Sequence, residues 1–237
     1  MKAASAAPLL LLPGLLCDAR IWAEQVREFA DFVPVAADYE GARSLGAMAE
    51  RALAQAPTRF SLVGHSMGAR VALEVWRMAP ERVERLALLS TGVHPVQPGE
   101  AEKRRALLHV GREQGIDALL DLWLPPMVAP ARRGDRALIG RLRAMCRAGG
   151  VAQYEAQIEA LLARPDVESL LASVARPTLV GVGRQDAWSP LAQHEAIAAA
   201  IPGARLAVFE ECGHMCPAEA PDQVNAALRD WLARAPD

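Results

Sequence analysis

The chain has 237 residues, 52% of them hydrophobic and 23% charged, with a formal net charge of −2. That length supports one large α/β domain or two small ones with a substantial core, and the balance excludes a disordered chain. The near-neutral charge offers no electrostatic footprint for nucleic acid or for an anionic membrane surface. Four cysteines (Cys17, Cys146, Cys212 and Cys216) are too sparse and irregular for a secreted disulfide framework.

The first stretch, "MKAASAAPLLLLPGLLCDA", has a lysine followed by an apolar run, as a signal peptide does. Pro13-Gly14 breaks the run, however, and Leu16 before Cys17 is too bulky for a cleavage or lipid-attachment site. It therefore reads as a first strand, and the expected location is the cytoplasm. No other apolar run approaches the ~20 residues of a membrane span.

In chain order, short apolar runs at 8–14, 32–38, 59–66, 83–92, 176–184 and 204–211 suit strands buried on both faces of a parallel sheet. Helix-length stretches lie between them at 21–29, 45–55, 68–78, 190–200 and 221–233. The last shows Val224, Leu228, Trp231 and Leu232 at helical spacing. Such alternation implies βαβ units. It stops between His94 and Ala175, where four helical stretches (98–115, 116–124, 134–148 and 151–163) carry no strand. The expected organisation is an α/β core from residues 1–93 and 176–237. The sheet has about six mostly parallel strands flanked by helices, and a helical lid over 94–175 is inserted after the fourth strand.

"LVGHSMG" (Leu62–Gly68) takes an apolar strand straight into Gly-His-Ser-Met-Gly and then a helix. This is the strand–turn–helix setting of a nucleophile elbow, with Ser66 on the sharp turn. The plain alternative is an ordinary glycine-containing βα turn. In "GRQDAWSP", Asp186 follows the fifth apolar run, where a carboxylate is well placed to orient an imidazole. The turn after the fourth run, "STGVHPV", offers no acid. His214 follows the sixth run and precedes the last helix, so the order is serine, acid, histidine. Of the other histidines, His65 reads as a packing residue of the elbow and His94 as a second candidate. His109 and His194 read as surface residues of helices.

"CGHMC" also raises a metal reading, since Cys212, His214 and Cys216 alternate. Their spacing matches none of the usual zinc patterns, which pair two cysteines with a distant second pair, and no metal or cofactor is expected. A serine nucleophile needs two backbone N–H groups aimed at the oxyanion. Met67, after the nucleophile, supplies one, and Leu15 in "LPGLLCD" is the candidate for the other. Large apolar residues beside these positions (Leu16, Met67, Trp188 and Met215, with Trp123 and Met127 from the insertion) are candidate substrate contacts. They imply an uncharged acyl group and offer no partner for a carboxylate. Six arginines between Arg132 and Arg147 could attract an anionic substrate, but Leu138, Leu142 and Met145 make that stretch amphipathic, so the preferred reading is that the arginines are its wet face.

On "LLLPGLLCD", "GHSMG", "GRQDAWSP" and "CGHMCP" the chain resembles the α/β-hydrolase superfamily, specifically its small, lid-bearing, cofactor-free bacterial esterases, over nearly its whole length. The resemblance implies a catalytic triad of Ser66, Asp186 and His214, oxyanion donors at Leu15 and Met67, and a small-molecule ester-like substrate. It departs at Pro13-Gly14, where many relatives have His-Gly, and the expected sheet lacks the first antiparallel hairpin of the fold. Carbon–carbon bond hydrolases, thioesterases, lactonases and cofactor-free haloperoxidases share such a triad. A non-catalytic ligand-binding member of the fold is the alternative of another class.

Overall fold

The computed structural model describes residues 8–235, so the lysine-bearing leader-like stretch before Pro8 lies outside the described residues. Six strands form one sheet: β1 (Leu9–Leu12), β2 (Val35–Ala36), β3 (Phe60–His65), β4 (Val83–Leu89), β5 (Thr178–Gly183) and β6 (Arg205–Phe209). Their order across the sheet is β2-β1-β3-β4-β5-β6, and every neighbouring pair is parallel. Leu9–Leu12, Phe60–His65 and Thr178–Gly183 are buried throughout, because helices cover both faces of a parallel sheet.

The strand order reverses between β1 and β3, so the connections leaving these two strands diverge to opposite faces. A crevice forms at such a switch point, beyond the carboxyl ends of the strands. Both candidate oxyanion residues and Ser66 follow these two strands.

The core helices are α1 (Ala23–Glu28), α2 (Leu45–Gln55) and α3 (Met67–Met78) before the insertion. In the insertion lie α4 (Glu100–Gln114), α5 (Ile116–Trp123) and α6 (Arg136–Leu162). After it come α7 (Leu191–Ala200), the short α8 (Cys216–Glu219) and α9 (Pro221–Leu232). As expected, no strand interrupts the chain between β4 and β5. The two helices expected over 134–148 and 151–163 run as α6, broken at Gly150 by a backbone of φ 69°, ψ −179°.

The second strand is much shorter than the run at 32–38 implies. A 3-10 turn occupies Ala30–Phe32 and Val33 takes φ 44°, which leaves Val35 and Ala36 to pair with β1. At a sheet edge, one-sided pairing gives little to hold a longer strand straight. No helix among the described residues is long and apolar enough to cross a membrane.

Strand and helix pass very close to one another at the β3–α3 crossing. A Cβ on Gly68 would stand 2.1 Å from the Leu12 carbonyl oxygen, and one on Gly64 2.5 Å from the Ala69 Cα. Real side chains cannot approach backbone so closely, so glycine is required where the strand, the turn and the helix pass one another. Gly68→Ala is therefore expected to destabilise the protein by about 3 kcal/mol or more, since rigid backbone must shift. The urea midpoint measures this, and an unchanged midpoint would contradict the packing.

Candidate active site

Ser66 sits between β3 and α3 with φ 56° and ψ −118°. That conformation is costly for a residue with a Cβ and persists only where the surroundings over-determine it. Here the Ser66 N–H donates to the Leu89 carbonyl at 2.8 Å, and the Thr91 hydroxyl donates to the Ser66 carbonyl at 3.0 Å. The sharp turn lifts the Ser66 side chain above the end of the sheet.

Asp186 follows β5. Its Oδ1 accepts the N–H groups of Trp188 at 2.9 Å and Ser189 at 2.8 Å, which fixes the carboxylate plane. Its Oδ2 faces His214 Nδ1 at 2.9 Å, and His214 Nε2 faces Ser66 Oγ at 2.7 Å. A carboxylate can only accept, so Nδ1 carries the proton. Nε2 is then the acceptor for the serine hydroxyl. Burial alone would raise the Asp186 pKa; the imidazole beside it and the N–H donors outweigh that and hold it below its ordinary value.

The loop carrying His214 has little regular structure and is held from three sides. His214 N–H donates to Met127 O at 2.8 Å, and His65 Nε2–H donates to His214 O at 2.8 Å. Glu219, fully buried, gathers the N–H groups of Ala129, Gly213 and Met215 at 2.8, 3.1 and 2.9 Å. One carboxylate thus joins the helical insertion to both neighbours of His214.

Of the two residues proposed to supply oxyanion donors, Met67 opens α3, where the first N–H groups have no intrahelical partner. Leu15 lies in a turn closed by Cys17 N–H to Gly14 O at 3.1 Å. The turn puts Leu16 at φ 57°, and Gln157 of α6 holds it there by accepting the Leu16 N–H at 2.8 Å.

A cavity of about 390 Å³ opens beside these groups. Leu15, Met67, Trp123, Met127, Trp188 and Met215 all line it. Leu16 does not: it turns into the core, 1% exposed, as its turn geometry requires. Arg132 pairs with Asp135, Arg143 with Asp117 and Asp121, and Arg147 with Asp117, and none of the three lines the cavity. The apolar residues are not the whole wall, however. Arg70, Lys103, Arg104 and Arg164 line the cavity against one acid, Glu100.

His65 is a packing residue, edge-on to Trp22, as expected. His194 is not on the surface. It is fully buried, accepts the Thr91 N–H at Nε2 (2.8 Å) and stands behind the Ser66 turn. Its spacing with buried Ile197 on α7 was the available signal. Cys212 and Cys216 are buried, and burial raises both thiol pKa values. Their sulfurs lie against Gly213 O and the Ser90 hydroxyl. Among the described residues no three His, Cys, Asp or Glu side chains are grouped as metal ligands.

The family model described as "Alpha/beta hydrolase family" matches residues 9–227. The chain belongs to that family. Among curated relatives it is 29% identical over 202 residues to RutD of Klebsiella pneumoniae, whose name assigns it provisionally to carbamate hydrolysis. The match covers 84% of this chain and 76% of that protein. A 2-hydroxy-6-oxononadienedioate/2-hydroxy-6-oxononatrienedioate hydrolase of a Pseudomonas species is 27% identical over 180 residues, covering 74% of this chain and 64% of that one. Among solved structures, a thermophilic esterase from Thermogutta terrifontis, with malate bound, is 29% identical with a TM-score of 0.89, over 97% of this chain and 90% of that one. Membership and these relatives make hydrolysis the general class of activity.

Two outcomes follow from the site's buried groups. Glu219→Ala strands three N–H groups and is expected to lower stability by about 3 kcal/mol and to reduce turnover by loosening the His214 loop. Calorimetry and steady-state rates check both. Burial depresses the pKa of His65 to about 3 and of His194 to about 4, from 6.5. The unfolded chain therefore binds more protons below pH 6.5, so their contribution to stability is complete above that pH and is lost as pH falls towards those values. Urea midpoints should drop from pH 7 to pH 5, and His194→Gln should flatten the slope.

Proposed function

We propose that the protein is a serine hydrolase that cleaves a small carboxylic ester through an acyl-enzyme intermediate. The observation that carries this reading is the continuous chain from Asp186 Oδ2 through His214 to Ser66 Oγ, with contacts of 2.9 and 2.7 Å. In this reading His214 Nε2 takes the Ser66 proton as Oγ attacks the carbonyl carbon. Asp186 keeps the Nδ1–H tautomer and stabilises the imidazolium. The Leu15 and Met67 N–H groups receive the oxyanion, each donor contributing on the order of 3 kcal/mol to the transition state. The imidazolium returns its proton to the leaving alcohol, and a water activated by the same nitrogen then releases the acid.

The insertion acts as a lid in this scheme. It supplies Trp123 and Met127 to the cavity wall and, through Met127 O, a hydrogen bond to the His214 backbone. The expected location remains the cytoplasm and the expected partner a small ester-like molecule.

Ser66→Ala should lose at least ~10³-fold in kcat on a 4-nitrophenyl ester and should not be labelled by a fluorophosphonate that labels the wild type. Labelling that persists in Ser66→Ala would overturn the nucleophile assignment. Cys212→Ser and Cys216→Ser should retain most of the turnover, and a chelator should leave it unchanged; loss on chelation with recovery on added zinc would instead favour a metal site at the histidine loop.

A further inference from the structure

The cavity wall beside the nucleophile carries more positive charge than the structure compensates. Four cations line it, and Glu100 is the one carboxylate among the described residues that does. Glu100 is committed to others: its oxygens accept from Arg164 Nη1 and Nη2, both at 2.7 Å, from Arg104 Nε at 2.9 Å and from the Gln97 N–H at 3.1 Å. Arg164 is fully used, because its remaining N–H groups go to the carbonyls of His94, Pro95 and Leu161. Arg70 is not.

Arg70 lies one turn of α3 past Met67, on the helix that begins at the nucleophile, and is 6% exposed. Its Nη2 donates to His94 O at 3.0 Å, a carbonyl that Arg164 Nε also occupies at 3.2 Å. Both lone pairs of that oxygen are thereby engaged. Nη1 is buried and has no acceptor among the described residues. Arg104, its side chain mostly covered, uses Nε on Glu100 and lays its guanidinium over the Trp188 ring at 5.7 Å, while its Nη atoms have no acceptor among the described residues. Burial first, and the like charge of Arg164 second, depress the Arg70 pKa to about 9, the mark of a cation short of counter-charge.

Guanidinium groups with spare N–H donors in a partly dry pocket match the planar, two-oxygen shape of a carboxylate. We propose that Arg70, assisted by Arg104, is a carboxylate-binding subsite, so that the preferred substrate is an ester bearing a second, anionic carboxylate a few methylenes from the scissile carbonyl. The subsite rests on the serine-hydrolase reading of the same cavity and supersedes the expectation of an uncharged acyl group, which considered only the apolar walls. Arg70 would select and position substrate while taking no part in bond cleavage.

The test compares 4-nitrophenyl hemiesters of succinate, glutarate and adipate with their neutral methyl-ester counterparts. Wild type should favour the best acid over its neutral partner on the order of 10–100-fold in kcat/KM, mostly through KM. The advantage should shrink at high salt. Arg70→Met should bring the ratio close to one, Arg70→Lys should keep part of it, and Arg143→Met, whose side chain pairs with Asp117 and Asp121 outside the cavity, should leave both ratio and basal rate unchanged. A wild-type ratio at or below one at all three lengths, or a ratio preserved in Arg70→Met, overturns the subsite while neutral-ester turnover leaves the hydrolase reading standing. If wild type cleaves no ester, titration calorimetry with glutarate decides the subsite alone: binding that is at least tenfold weaker in Arg70→Met supports it, and equal or absent binding to wild type rejects it. If Arg70→Met does not fold, Arg70→Gln is read in the same two assays.

Discussion

Everything at this site depends on holding Ser66 in a backbone conformation that it would not adopt alone. A φ of 56° in a residue with a Cβ costs on the order of 1–3 kcal/mol. The surroundings supply that by fixing both sides of the peptide, through Leu89 O and the Thr91 hydroxyl, and by letting β3 and α3 pass at a distance only glycine allows. The same arrangement starts α3 at Met67, so that a helix N-terminus faces the point where a negative oxygen would form. Strain at one residue and favourable electrostatics at the next thus come from one turn.

The histidine is positioned by different means. Its loop follows an edge strand, where packing alone gives little rigidity, and its fixed geometry comes from polar contacts that converge on the backbone. Glu219 gathers N–H groups from Ala129 of the insertion and from Gly213 and Met215 of the histidine loop. His65, next to Ser66 in sequence, holds the His214 carbonyl. The core and the insertion therefore meet at the imidazole, and a change in the insertion reaches the site through hydrogen bonds as well as through the cavity wall.

The sheet was legible because buried parallel strands read as continuous apolar runs, and the meeting of Ser66, Asp186 and His214 was legible because each follows such a run. The two-residue β2 was not, since an edge strand has no second neighbour to enforce its length and the 3-10 turn at Ala30–Phe32 ends just before it. His194 was misread because a polar residue in a helix defaults to the surface, although its partner Ile197 marks the buried face of α7. Arg70 gave no signal at all. In "GHSMGARVALEVWRM" it is one arginine in an amphipathic helix, and its burial depends on His94 and Arg164, 24 and 94 positions away in the chain. Gln157 and Glu219 are of the same kind: single polar residues whose role exists only once distant backbone is brought to them.

The charge of the whole chain and the charge of the cavity point in opposite directions, and this difference has chemical content. A net charge of −2 sums the whole chain, most of whose acids and arginines pair in solvent and contribute little each. In the cavity the low-dielectric wall strengthens every interaction, so an excess of guanidinium over carboxylate is felt across the site. A carboxylate bound on Arg70 would fix the ester over Ser66 Oγ. Under the proposed mechanism, substrate charge therefore acts through orientation, and binding energy remote from the scissile bond is converted into transition-state stabilisation.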